Sequence, residues 1–100
     1  MALNITTELQ NESGFKTAQT YARIAVVDNI DGKKIQGIVN LFTDKESYDN
    51  GLIPFQAKGI NNNFEFDYDR NTMSKDILDL AHDVYISYLA EQGIEAEKSL

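Results

Sequence analysis

Glu65, Asp67 and Asp69 recur at every second position of the stretch "FEFDYDRN", residues 64–71, with Phe64, Phe66 and Tyr68 between them. Carboxylates so close in sequence could hold a cation or divide acid–base work. The overlapping "DYDRNT" (67–72) opens like a calcium loop of the D-x-D-x-N kind, in which Asp67, Asp69 and Asn71 would supply oxygen ligands. The match stops there. Thr72 stands where the turn glycine belongs, Leu78 stands where the bidentate acid belongs, and a strand pattern replaces the preceding helix. The alternation itself predicts a β-strand with aromatics on one face and acids on the other. Acids on one strand face lie about 7 Å apart and repel modestly. A cross-strand Arg23 or Lys16, or a neighbouring chain, would relieve this. Glu65, Asp67 and Asp69 therefore read as the wet face of an outer strand, where charge discourages unwanted strand addition. No metal is assigned to them.

His82 is the only histidine. Helical spacing puts it on the polar side of a carboxy-terminal helix, within reach of Asp79 and Asp83. A triad would also need a presented nucleophile, and no G-x-S-x-G elbow occurs. One histidine cannot build a histidine-rich metal centre, so an exposed surface histidine is expected. Gly32, Gly37, Gly51 and Gly59 are scattered rather than grouped into a phosphate loop. Paired carboxylates for glycoside hydrolysis would need a cleft that a domain this small rarely encloses. No catalytic residue, small-molecule substrate or cofactor is expected.

The elements that must position these residues belong to one domain of 100 residues. Apolar residues make up 42 % of it, enough for a genuine core. Sixteen acidic and nine basic side chains leave a formal charge of −7. With Lys33-Lys34 the only basic pair, direct binding to nucleic acid or an anionic membrane is not expected. The absence of cysteine excludes disulfides and thiolate chemistry and suits a reducing compartment. "MALNITTELQNESG" has neither a basic start nor an unbroken apolar run, so no secretory signal is expected, and no run of apolar residues is long enough to span a membrane.

Leu3, Ile5 and Thr7 alternate as a weak strand, part of an amino-terminal strand or arm over residues 1–13. "TYARIAVVD" (20–28) predicts a strand with Ala22, Ile24 and Val26 on one face and Tyr21, Arg23, Ala25 and Val27 on the other. An Asp31-Gly32 turn leads to "IQGIVNLFT" (35–43), with Ile35, Val39 and Leu41 opposed to Ile38 and Phe42; the two strands form a hairpin. Thr43 and Glu46 stand at capping-box spacing before a short helix over 44–50 that Gly51 closes. Pro54 marks "LIPFQAKGI" as an extended edge or strand start. From Ser74 to about Gln92 the apolar positions trace one face of a helix, capped by Thr72 or Ser74 and ended by Gly93. Residues 93–100 form a polar, frayed tail. The fold class expected is α+β: an antiparallel sheet of about four or five strands with one long carboxy-terminal helix packed on one face.

One covering helix leaves the second sheet face open, which marks Tyr21, Arg23, Val27, Ile38 and Phe42 as interface candidates. Ile86, about 180° round the helix from Ile77, joins them. The alternative is that Leu3, Ile5 and Phe15 fold back over that face.

Tyr21-Ala22-Arg23-Ile24, then Lys45-Glu46-Ser47-Tyr48-Asp49 with Gly51, then Pro54, and a helix containing Tyr85 to Leu89, together resemble a recurrent pattern in small structural proteins of the neck and tail region of tailed bacteriophages. The resemblance covers roughly residues 14–90. It departs in the acidic "FEFDYDRNT" and in the longer polar tail. It implies a non-enzymatic virion structural component of the neck, tail or baseplate, made in the host bacterial cytoplasm. Its partners would be other virion proteins and copies of itself in an oligomer. A monomeric phage-encoded binding module that docks on another protein is the alternative. A calcium-dependent binder using Asp67, Asp69 and Asn71 is a third reading.

Overall fold

A computed structural model describes residues 2–10, 14–28, 34–68 and 76–99. In chain order the elements are β1 (Ala2–Ile5), β2 (Leu9–Gln10), β3 (Lys16–Thr17), β4 (Thr20–Asp28), β5 (Lys34–Phe42), α1 (Lys45–Asp49), β6 (Asn63–Asp67), α2 (Ile77–Glu91) and β7 (Ala96–Ser99). Five strands form one antiparallel sheet in the order β6-β5-β4-β1-β7, and β2 pairs with β3 in a small separate ribbon. The class is α+β, with α2 packed across one face of the sheet.

The central hairpin follows from the alternation in its two strands, with Tyr21 facing Phe42 and Ile24 facing Val39. Its Asp-Gly turn lies outside the described residues. Leu3, Ile5, Ala22, Ile24, Val39 and Leu41 point toward α2 and meet Ala81, Tyr85 and Leu89 in the main core. Ala96 lies on the same side as Ile5, its cross-strand partner. Pro54 precedes an extended crossing in which Phe55 forms an isolated antiparallel bridge with Leu41.

Two expectations for the termini are corrected. The amino-terminal segment does not fold back over the second sheet face. As β1 it lies inside the sheet between β4 and β7, and its Leu3 and Ile5 are fully buried under α2. The carboxy-terminal tail is not frayed. It pairs with β1 as β7, and Lys98 reaches back to Asp79 and Asp83 of α2, each at 2.6 Å. A polar strand is tolerated there because β7 is an edge among the described residues, with one face wet and its lysine paired across to the helix.

The caps are also redistributed. Asp44, not Thr43, caps α1 by accepting from the Ser47 N–H at 2.7 Å, while the Thr43 and Ser47 hydroxyls bond at 2.8 Å. Asp76 itself caps α2, accepting from the backbone N–H groups of Leu78 and Asp79. Thr72 and Ser74 lie outside the described residues. Gly93 closes α2 as expected, at φ +76°, where a side chain would be strained. Its N–H bonds the Ala90 carbonyl and that of Ile94 bonds Leu89, a Schellman closure.

The helix is also rolled relative to its apolar stripe. Its buried residues are Ala81, His82, Tyr85 and Leu89, whereas Ile77, Leu80 and Val84 are only half-buried. The buried face is turned by roughly 50° from the centre of the apolar residues, at about 100° per residue. Two tyrosines anchor the helix in this orientation. Tyr85 donates its hydroxyl to the Asn61 carbonyl at 3.0 Å, and the Tyr88 oxygen accepts from the Asn61 N–H at 2.8 Å. One residue of the crossing loop is thus held through both its N–H and its carbonyl, and the Tyr85 ring is drawn against Phe64 at 5.3 Å.

Candidate interaction surface

The sheet face away from α2 is set by strand parity. It carries Ala2 and Asn4 of β1, Tyr21, Arg23, Ala25 and Val27 of β4, the even residues of β5, and Asn63, Glu65 and Asp67 of β6. The pairings Arg23 with Asn40, Ala25 with Ile38, and Gln36 with Glu65 fix their relative positions. Short helix α1 lies over one end. Its Tyr48 packs with Tyr21 and Phe42, at ring separations of 5.7 and 5.1 Å, and Ala2 completes this second, smaller core. The Arg23 guanidinium stacks over the Tyr48 ring at 4.8 Å.

The interface candidates therefore divide. Tyr21 and Phe42 are buried within the chain by α1 and present no open surface. Arg23 is half-buried and engaged with Tyr48. Val27, 48 % exposed, and Ile38, 36 % exposed, remain open, and exposed Ala25 lies directly opposite Ile38. Phe15, the other proposed cover, is itself 74 % exposed. Ile86 is not a lone exposed isoleucine on the polar side. The roll of α2 half-buries it against the main core.

The acidic strand behaves as the alternation predicts over its described length. Phe64 and Phe66 are half-buried and pack against the core, whereas Glu65 and Asp67 are exposed. Asp69 lies outside the described residues, as does Asn71 of the calcium reading. Among the described residues no group of three or more His, Cys, Asp or Glu side chains could hold a metal ion. The anticipated relief by Arg23 or Lys16 is not found: Lys16 pairs with Glu8 at 3.8 Å, and Arg23 stacks on Tyr48. Lys34 stands opposite Asp67, and Gln36 opposite Glu65. The open face thus has an apolar centre bordered by both signs of charge.

His82 corrects the expectation of a surface imidazole, since it is fully buried. Nδ1 donates to the Leu78 carbonyl one turn back at 2.6 Å, which fixes the tautomer because that carbonyl can only accept. Nε2 is then a buried acceptor without a partner among the described residues. The imidazole's place in the core comes from the helix roll.

Lys98, in the tail read as frayed, is the ionic link between β7 and α2. The Asp79 and then the Asp83 carboxylate hold its ammonium above the usual lysine range. Burial, followed by the neighbouring Tyr88, pushes the Tyr85 phenol well above the usual tyrosine range. Both groups keep their proton more firmly in the folded chain. Their stabilisation is fully present below the unfolded values of about 10 and is lost as pH rises through the folded ones. Urea unfolding is therefore expected to show stability falling as pH rises above about 10. Tyr85→Phe and Lys98→Met should each flatten that fall. An unchanged slope in the double variant would refute the assignment.

Tyr48, Ala25 and Lys98 are the residues that sequence reasoning did not single out for this surface and its framework. Tyr48 carried a signal, since an aromatic on a short helix beside an aromatic-ended strand needs cover. No helix among the described residues is long and apolar enough to cross a membrane. No protein-family model matches the chain, and comparisons with curated proteins and with solved structures return no significant match.

Proposed function

We propose that this chain is a non-enzymatic assembly subunit that works by burying the open end of its second sheet face against another copy of itself. The observation that carries this reading is the half-covered face. Helix α1 closes one end over Tyr21 and Phe42, while Ala25, Val27 and Ile38 stay exposed at the other. Contiguous apolar side chains on a pleated surface gain stability when a second surface removes them from water. The border suits self-association, because Lys34 and the acids Glu65 and Asp67 lie on the same face and a second copy offers both signs in return. Such a role accords with the virion structural component, at the neck, tail or baseplate of a tailed phage, that the sequence resemblance implies.

Light scattering over a concentration series tests the reading. The wild-type chain is expected to reach a defined multimer. Val27→Lys combined with Ile38→Lys should remain monomeric, with stability changed by no more than about 0.5 kcal/mol per exposed substitution. A wild-type monomer at every concentration would favour a module that docks on a different protein. A multimer indifferent to the two lysines would remove this face from the interface.

A further inference from the structure

Among the described residues β7 is the outermost strand on its side of the sheet, and α2 packs near it. Between the last turns of α2 and this strand lies a cleft of about 600 Å³, within the range of small binding pockets. Ile86, Ala90, Ile94 and Ala96 give it an apolar lining, and Glu95 and Glu97 stand beside them. Ala96 faces the helix side of the sheet, where its small side chain leaves the space unfilled.

The ladder places hydrogen-bonding groups beside this cleft. Thr6 N–H donates to the Glu95 carbonyl at 3.0 Å, so Glu95 belongs to a bonded pair with β1. Alternation along an antiparallel ladder then turns the backbone N–H and C=O of Ala96 and Lys98 outward. Among the described residues no backbone bond reaches those outward groups.

The geometry points to a strand-addition site: an extended, basic segment of another protein pairs with the outer edge of β7 and sends alternate apolar side chains into the cleft. Main-chain bonds to Ala96 and Lys98 would supply binding strength, and the cleft would select the side chains. The intervening positions of such a segment fall on the side of Glu95 and Glu97, which calls for lysine or arginine there. Lys98 cannot answer these acids, because its ammonium is held by Asp79 and Asp83 on the helix side. A second copy of this chain is a poor occupant. Antiparallel self-pairing of β7 brings Glu97 against its own counterpart, and an incoming β6 sets Glu65 and Asp67 on the same face as Glu97. Like charges directly opposed destabilise a strand pair.

The probe is a short peptide of alternating lysine and valine, titrated into the full chain and followed through backbone amide NMR shifts. Saturable shifts are expected over residues 86–98, with slowed hydrogen exchange at Ala96 and Lys98. The same peptide methylated at alternate backbone nitrogens keeps its charge, loses donors and should not bind. Ala96→Pro removes an outward donor that β1 does not use, a position where an edge strand accepts proline. Ala90→Phe fills the cleft from an exposed helix position. Each variant should weaken binding by about tenfold or more. If Ala96→Pro fails to fold, Ala90→Phe decides alone. The proposal is overturned by the absence of saturable shifts, by equal binding of the methylated peptide, or by shifts centred on Glu65 and Asp67. Neither variant touches Val27 or Ile38, so the outcome is independent of self-association through the open face.

Discussion

Replacing Tyr85 with alanine is expected to destabilise the chain by about 3–5 kcal/mol, the range for deleting a buried aromatic side chain. Domains of this kind have only about 5–15 kcal/mol in total, so the variant should sit near the edge of folding. The size of the effect comes from how many functions the ring joins. Tyr85 is fully buried, packs against Phe64 and lies 5.6 Å from the Tyr88 ring. Its hydroxyl also holds the crossing loop through the Asn61 carbonyl. Tyr85→Phe separates the two contributions. It keeps the packing, loses one hydrogen bond and should cost only about 0.5–1.5 kcal/mol. Urea denaturation of the two variants measures both, and an alanine cost no larger than the phenylalanine cost would mean that the ring is not a keystone of the core.

The second large effect is expected at Gly37. A glycine in the middle of a long strand ordinarily weakens it. Here the residue opposite is Phe64, whose ring lies over the glycine backbone. A Cβ at position 37 would overlap the ring atoms Cζ and Cε1 of Phe64 and approach Cε2 at 2.8 Å. The ring is hemmed in by Phe66 at 5.9 Å and by Tyr85, so it cannot swing aside freely. Gly37→Ala is expected to cost about 1–3 kcal/mol through overpacking. The cause is checked by a double-mutant cycle. Phe64→Ala should be less damaging in the Gly37→Ala background than in the wild type, with a coupling of roughly 1 kcal/mol or more. Simple additivity would show that the clash is not the source.

These two sites also show where sequence reasoning reached and where it stopped. The aromatic face of "FEFD" toward the core was legible because strand parity is a local property of successive residues. That Gly37 would stand under Phe64 was not, because register between β5 and β6 depends on how a connection of twenty residues, 43–62, with α1 inside it, is laid down. His82 shows the same limit. Its position among polar neighbours predicts exposure, but the helix, tied to Asn61 by the hydroxyls of Tyr85 and Tyr88, packs with the imidazole inward. Tyr21 and Phe42 looked free because the hairpin alone leaves them so. Only the landing of α1 brings Tyr48 onto them.

By itself the sequence determined the hairpin, the faces of its strands, the acidic-aromatic alternation and the existence of a covering helix. All of these follow from periods of two and of about 3.6 residues, which act over short stretches of chain. Tertiary structure alone decided that β1 lies inside the sheet and that the polar tail is an edge strand held by Lys98. It also set the helix roll that buries His82 and half-buries Ile86, and it opened the cleft beside Ala96. Each of those depends on contacts between residues distant in sequence. The amphipathic pattern of one element says which face must be covered, and not which partner will cover it.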